Sequence, residues 1–315
     1  LQAGALLVRV ARGHNRVGTV QYTRLIGADE TLTRRLVDYV IDRHYPRLRG
    51  REHSYRDFFT AVAGAQAQTV AEWLRLGFVH GVMNTDNTTL TGETIDYGPC
   101  AFSDRYDPEA VFSSIDRGAR YAFGRQPQVM GWNLARLAEA MLPLFGEDPA
   151  EGLAWAQEAV NSFGELYWAA RQESVGRLLD VPADSPLAEA YLALVPVAAP
   201  ELTGFHRGLV DAAGGDRRAV LASVFPEHRG LVEAFVDSWV DSRPEVARLA
   251  GIHPVYIPRN HLVDEALRHA EQGELGPYLR LLAAVTDPFS ESAQLLEFRG
   301  PAPESFGPFT TYCGT

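Results

Sequence analysis

Two acidic residues, Asp86 and Asp96, flank a segment that reads as a tight reversal of the chain, Thr88-Thr89-Leu90-Thr91-Gly92-Glu93-Thr94-Ile95. The β-branched residues favour short extended stretches, and Thr91-Gly92 supplies the turn, so the two acids would fold back toward each other. The preceding string is His80-Gly81-Val82-Met83-Asn84-Thr85-Asp86-Asn87, and Asp96-Tyr97-Gly98-Pro99 ends the segment. A carboxamide, Asn87, therefore joins the two carboxylates. Magnesium prefers hard oxygen ligands and commonly takes one or two carboxylates from protein, leaving its other positions to phosphates and water. Asn87 and Asp96 with an ATP would meet that requirement. On spacing alone a plain polar loop is the stronger reading, because Asn, Asp, Thr and Gly are ordinary turn formers.

Protein kinases use a similar order: a catalytic-loop Asp, a metal-binding Asn, then Asp-Phe-Gly after a hairpin. Asp96-Tyr97-Gly98 is a version of that last element. The loop departs from kinase spelling, since Asp86 and Asn87 are adjacent and His80 is followed by Gly81, so this is not an ordinary protein kinase. The whole string closely resembles the selenoprotein O family. Further segments carry the resemblance: Asp107-Pro108, Arg120-Tyr121-Ala122-Phe123, Arg125-Gln126-Pro127, Trp132-Asn133-Leu134 and Tyr256-Ile257-Pro258-Arg259-Asn260-His261. It runs from about Ala5 to Cys313.

The resemblance implies a kinase-like fold and a protein adenylyltransferase, in which ATP is bound flipped so that AMP passes to a Ser, Thr or Tyr hydroxyl. Asp86 then matches the proton acceptor, and Asn87 and Asp96 match the ligands of Mg2+, with Mn2+ as the alternative ion. Arg9 and Arg16 match two arginines that hold the flipped phosphates; on sequence alone both read as exposed strand arginines. Around them Gly13 replaces a usual Ser and Asn15 a usual aliphatic residue. Eukaryotic members carry selenocysteine near the C-terminus, which implies a redox role for Cys313 and a disulfide to Cys100 that would tie the tail over the site; otherwise Cys100 is a small buried hydrophobe. Two other functions stay open: an atypical kinase transferring the γ-phosphate, and an inactive nucleotide-binding or regulatory piece. His80 reads as a packing residue, Glu93 as solvated, and Arg120 and Arg125 as surface arginines more than nucleotide contacts.

Composition narrows the field. A net charge of −11 argues against bulk nucleic-acid binding, which needs a basic surface. No apolar run reaches the ~18 residues that a membrane span requires. The expected partners are ATP and proteins bearing hydroxyl side chains. The 29 basic residues are all arginine, so the chain holds no lysine for a Walker A loop, a Schiff base or the strand-borne phosphate contact of kinases. The family carries such a lysine in a lobe ahead of the equivalent of Leu1, so most of an N-lobe is expected to be missing and the chain to adenylylate poorly by itself. Two cysteines point to a reducing compartment, the cytoplasm.

Along the chain, Ala5–Val10 and Val17–Tyr22 read as short strands, and Thr31–Tyr45 as a helix. Ser54 and Asp57 form a capping-box pattern at the start of a long helix that stops at Gly77. Helices are expected over Trp132–Phe145, Pro149–Gln172, Ser185–Leu194, Pro200–Ala213, Arg217–Ser223 and Glu227–Leu249, with an extended stretch from Phe298. The expected fold is α+β, predominantly α: an N-lobe remnant (1–25), a kinase-like C-lobe (26–145) and a helical C-terminal region continuous with it (146–315).

Overall fold

The computed structural model describes Leu6, residues 8–26 and residues 30–312. Two compact units are each assembled from separated stretches of chain. The first comprises Leu1–Thr69, Met83–Tyr97 and Gln128–Leu166; the second comprises Val70–Val82, Gly98–Pro127 and Tyr167–Thr315. Helix dominates, with one small two-stranded sheet among the described residues.

The first unit opens with α1 (Val17–Ile26) and α2 (Thr31–His44). The strand expected over Val17–Tyr22 is thus a helix. Val17, Val20 and Thr23 are buried at a three-residue spacing, and that stripe overrides the weak extended preference of β-branched residues. The described part of the expected Ala5–Val10 strand has no regular structure. Helix α3 (Ser54–Leu76) buries Phe58, Phe59 and Val62, with Tyr45 edge-on to Phe58 at 5.3 Å. Asp57, expected in a capping box, pairs instead with Arg51 at 3.0 Å. Gly77, at φ +76°, ends the helix in a conformation that glycine reaches without steric cost. The expected Trp132–Phe145 helix begins earlier, as α4 (Gln126–Met141), and tightens into a 3-10 turn at Leu142–Leu144. Asp148 caps α5 (Pro149–Asn161) by accepting from the Ala150 amide at 2.9 Å.

The long helix expected from Pro149 to Gln172 breaks at Ser162, giving α5 and α6 (Phe163–Leu179). The Ser162 hydroxyl donates to the Ala159 carbonyl at 2.9 Å, a local bond that competes with the helical ladder.

In the second unit, strands β1 (Phe78–Val79) and β2 (Ala101–Phe102) pair antiparallel, Phe78 opposite Phe102. Its main core joins α6 to α7 (Pro186–Ala198), α8 (Leu202–Ala213), α9 (Arg218–Ala222), α10 (Arg229–Val240) and α11 (Val246–Ala250), around Tyr191, Phe205, Leu209, Val236 and Trp239. The helix expected over Glu227–Leu249 is interrupted between α10 and α11, where Pro244 cannot continue the ladder and Arg243 sits at φ +56°. A smaller cluster of Val255, Tyr256, Ala266, Leu281, Ala284 and Phe298 underlies α12 (Asn260–Glu271) and α13 (Gly276–Thr286). After Phe298 the tail is largely irregular, with a 3-10 turn at Glu304–Phe306 and a parallel bridge from Thr311 to Ser113. No helix among the described residues is long and apolar enough to cross a membrane.

Candidate functional site

Arg9, Arg16, Asp86, Asn87 and Asp96 all fall in the first unit. Backbone pairing brings them together. The Val17 amide donates to the Thr88 carbonyl and the Leu90 amide to the Asn15 carbonyl, both at 2.9 Å, so Asn15–Val17 lies against Thr88–Leu90. Thr88 in turn bridges to Thr94 across the turn. The predicted reversal therefore exists, although as single bridges and not as regular strands. It delivers Asp96 to both arginines: Arg16 Nη2 reaches Asp96 Oδ2 at 3.0 Å and Arg9 Nη1 reaches Oδ1 at 2.5 Å. Asp96 sits at φ 59°, a left-handed backbone that costs a non-glycine residue roughly 1 kcal/mol or more. The three side chains remain between a quarter and a third exposed.

Asp86 lies on the 3-10 turn Thr85–Asn87, exposed, with the Asn87 amide donating to the Asn84 carbonyl at 2.9 Å. Its carboxylate meets the first turn of α1 at Gly18, where a Cβ would overlap Asp86 Oδ1. Only glycine leaves that oxygen its place. Arg16 and Gly18 are two residues apart, so both acids come to the same end of α1. Gly18 was not singled out from sequence; its signal, a glycine within a run of β-branched residues, is ambiguous while that run reads as a strand.

Glu93 departs from expectation. It is half-buried, accepting from the Arg12 amide at 3.1 Å and from the Thr91 hydroxyl at 3.0 Å, with the Arg12 guanidinium at 3.4 Å. Burial works against its ionisation, but those donors more than offset it and hold the carboxyl below its usual range. Glu93 is a clamp on the N-terminal segment.

The motif loop is held in place by polar side chains that sequence reading passed over. In the first unit, Asn133 Nδ2 donates to the Met83 carbonyl at 2.9 Å and the Tyr45 hydroxyl to the Leu90 carbonyl at 2.6 Å. In the second, Gln126 accepts from the His80 amide at 3.0 Å and donates to the Phe78 carbonyl at 2.9 Å. The quoted signatures Arg125-Gln126-Pro127 and Trp132-Asn133-Leu134 thus contain scaffold residues. His80 is fully buried 5.5 Å from the Trp73 ring, as a packing residue should be. Arg125 pairs with Glu109 at 3.1 Å, and the Arg120 guanidinium lies 5.8 Å from the Tyr121 ring.

Cys100 belongs to the second unit, and burial pushes its thiol up to about 11. Cys313 lies outside the described residues. The tail nonetheless passes close by, since the Thr311 hydroxyl donates to the Pro99 carbonyl at 2.7 Å.

The donor set suits magnesium. Asp86, Asn87 and Asp96 offer hard oxygens, and each Asp96 oxygen has a lone pair beyond the one its arginine uses. Among the described residues no group of three or more His, Cys, Asp or Glu could hold a metal ion. An ion here would need phosphate and water to complete its shell.

Residues 1–194 match the family described as protein adenylyltransferase SelO. The chain belongs to that family. It is 48% identical over 99% of its length to a protein nucleotidyltransferase YdiU of Mycobacterium sp. (strain KMS), of which it covers 65%. A relative of the same description from Corynebacterium efficiens is 45% identical, with 99% of this chain and 63% of the relative covered. One from Cereibacter sphaeroides (strain ATCC 17025 / ATH 2.4.3) is 44% identical, with 99% and 66% covered. The chain thus spans about two thirds of the length of these family members.

Proposed function

We propose that the chain carries the acceptor-activating and phosphate-binding part of a protein adenylyltransferase of kinase-like fold, moving AMP from ATP to Ser, Thr or Tyr hydroxyls. The observation that carries this reading is the pair of guanidiniums converging on one carboxylate beside an exposed Asp86. Both guanidiniums keep donors beyond those used on Asp96, with Arg16 Nε buried and without a hydrogen-bond partner, and such donors suit the oxygens of a polyphosphate.

In this reading the exposed Asp86 carboxylate accepts the proton of the acceptor hydroxyl, and Gly18 keeps its Oδ1 in position. Arg9 and Arg16 extend donors to the β- and γ-phosphates and stabilise the pyrophosphate that leaves. Asn87 and Asp96 would hold Mg2+, or Mn2+, which when bound supplies charge neutralisation for the phosphates. The membership of the family and the acidic net charge support a protein acceptor over nucleic acid. Cys100 and Cys313 could pair as a redox device, a reading supported by Thr311 lying against Pro99.

Labelling from ATP tagged at the α- or the γ-phosphate tests the proposal. The longest form of the protein should label itself or a protein acceptor only from the α-position, and Asp96→Ala should abolish the label. Label from the γ-position alone would establish a kinase. Nucleotide binding without label from either would establish a regulatory role.

A further inference from the structure

The tail of the second unit is fastened at two points to one loop. The Ala302 amide donates to Asp104 Oδ2 at 3.0 Å, and the Thr311 amide donates to the Phe112 carbonyl at 2.8 Å. Between these ties Gly307 sits at φ 71° and ψ −166°, a backbone region essentially reserved for glycine. The turn there sets the Phe306 and Phe309 rings in a stack, with centroids 5.7 Å apart and planes 29° from parallel. Loop and tail together line a cavity of about 570 Å³.

Its lining is both aromatic and acidic: Phe112, Phe306 and Phe309 with Asp104, Asp107 and Glu109. Asp104 is answered by Arg259, and Glu109 by Arg125 at 3.1 Å, in an exposed pair of the kind that contributes little. Asp107 pairs with no cation among the described residues. Its Oδ1 accepts from the Glu109 amide at 2.9 Å, which leaves its other oxygen available. Arg105, the one basic residue of the lining, is already committed: its Nη1 donates to the Ala199 carbonyl at 2.7 Å, and its guanidinium lies 4.1 Å from the Phe225 ring. A volume of this size takes more than a bare ion. Apolar walls beside an uncompensated carboxylate suit a cation carried on an apolar stem. A planar guanidinium fits best, because it stacks on aromatic faces and forks two donors onto a carboxylate.

We propose that this groove binds an arginine side chain presented by a segment of a partner protein. Asp107, Glu109, Gly307 and Pro308 are exposed, so a side chain can enter while its backbone stays outside, whereas a free small molecule is normally enclosed over most of its surface. All the lining residues belong to the second unit, and the proposal does not rest on the nucleotide reading.

The test is calorimetric titration of the full chain with an acetylated and amidated Gly-Arg-Gly tripeptide at low ionic strength. Saturable binding at one site is expected. Asp107→Asn, which removes the charge and keeps an acceptor for the Glu109 amide, should weaken it at least fivefold. Phe309→Ala should weaken it by a similar factor, and the corresponding lysine tripeptide should bind severalfold less tightly than the arginine one. Asp86→Asn should leave the affinity unchanged. Absence of binding, an unchanged affinity in Asp107→Asn, or a loss confined to Asp86→Asn would overturn the proposal. Agmatine binding as tightly as the tripeptide would overturn it too, since the groove would then serve a free guanidine and not a protein segment.

Discussion

Two arginine–carboxylate centres in this chain have opposite balances. In the first unit two arginines, Arg9 and Arg16, share one acid, Asp96, and all three side chains stay partly exposed. In the second unit one arginine, Arg259, sits between two acids, Asp104 and Glu201, with its side chain 1% exposed. Most further valences there are used, although Arg259 Nε is buried without a hydrogen-bond partner. Glu201 caps α8 by accepting from the Gly204 amide at 2.6 Å, Asp104 accepts from the Ala302 amide at 3.0 Å, and Arg259 donates to the Arg299 carbonyl at 2.9 Å. The second centre is closed and ties β2, α8 and the tail region into one structure. The first is left partly open to solvent, which is what a ligand-binding site requires and a structural clamp does not.

Removing the clamp should have the largest effect. Arg259→Leu leaves the buried Glu201 and the part-exposed Asp104 without their cation, and should cost about 3 kcal/mol in urea unfolding. A loss below about 1 kcal/mol would mean that the centre is not the closed structural element described.

Acidification separates the units next. Burial holds the His253 imidazole down to about 4, helped by the charges of Arg75 and Arg207 and opposed by its bond to the Leu178 carbonyl. Burial, then the neighbouring His253, Arg75 and Arg171, also holds His206 well below its usual value. A folded-state value below the unfolded one means that the unfolded chain takes up the proton first. Stability from His253 is therefore present above the unfolded pKa of about 6.5 and falls by about 3 kcal/mol as pH drops to about 4. Glu93, in the first unit, contributes above its unfolded value and loses that contribution only at lower pH, as its folded value is crossed. His253→Asn should reduce the slope of the stability profile between pH 6.5 and 4, the slope that remains there belonging to His206, and leave the more acidic limb in place.

In the open centre, Asp96→Ala should weaken Mg·ATP binding at least 100-fold, about 2.7 kcal/mol, by calorimetric titration of the longest form of the protein. Glu93→Ala should change it only severalfold, because Glu93 holds Arg12 and not the nucleotide. Equal affinities would sink the assignment of the site.

The smaller effects refine the same contrast. Gly18→Ala pushes a methyl group into Asp86 Oδ1 and should lower labelling turnover about tenfold while the unfolding midpoint moves little. Oxidised protein should show a faster band on a non-reducing gel that Cys313→Ser abolishes; an unchanged band would remove the redox reading. The high thiol value of Cys100 implies that such pairing forms slowly in the closed structure.

The residues of the open centre were legible because chemistry and spacing coincide over a short stretch, from Asp86 through Asn87 to Asp96. The helices over Thr31–His44 and Ser54–Leu76 were legible for the same local reason, a stripe of apolar residues at helical spacing. Val17–Ile26 was misread because valine and threonine at three-residue spacing serve a strand or a helix equally until something packs against them. The breaks at Ser162 and Asp241–Glu245 were missed because helical periodicity carries through a short interruption.

The order of types along the chain was enough to determine a mostly helical fold with a polar turn bearing two acids and an amide. Tertiary structure alone decided the partners of those groups. Arg9 and Arg16 meet Asp96 because Asn15–Val17 pairs with Thr88–Leu90, more than seventy positions away in sequence. Arg259 and Arg171 look alike as letters, yet one is enclosed by two carboxylates and the other pairs with none among the described residues. Pairing of charges depends on which surfaces pack, and packing is a property of the whole chain and not of any window within it.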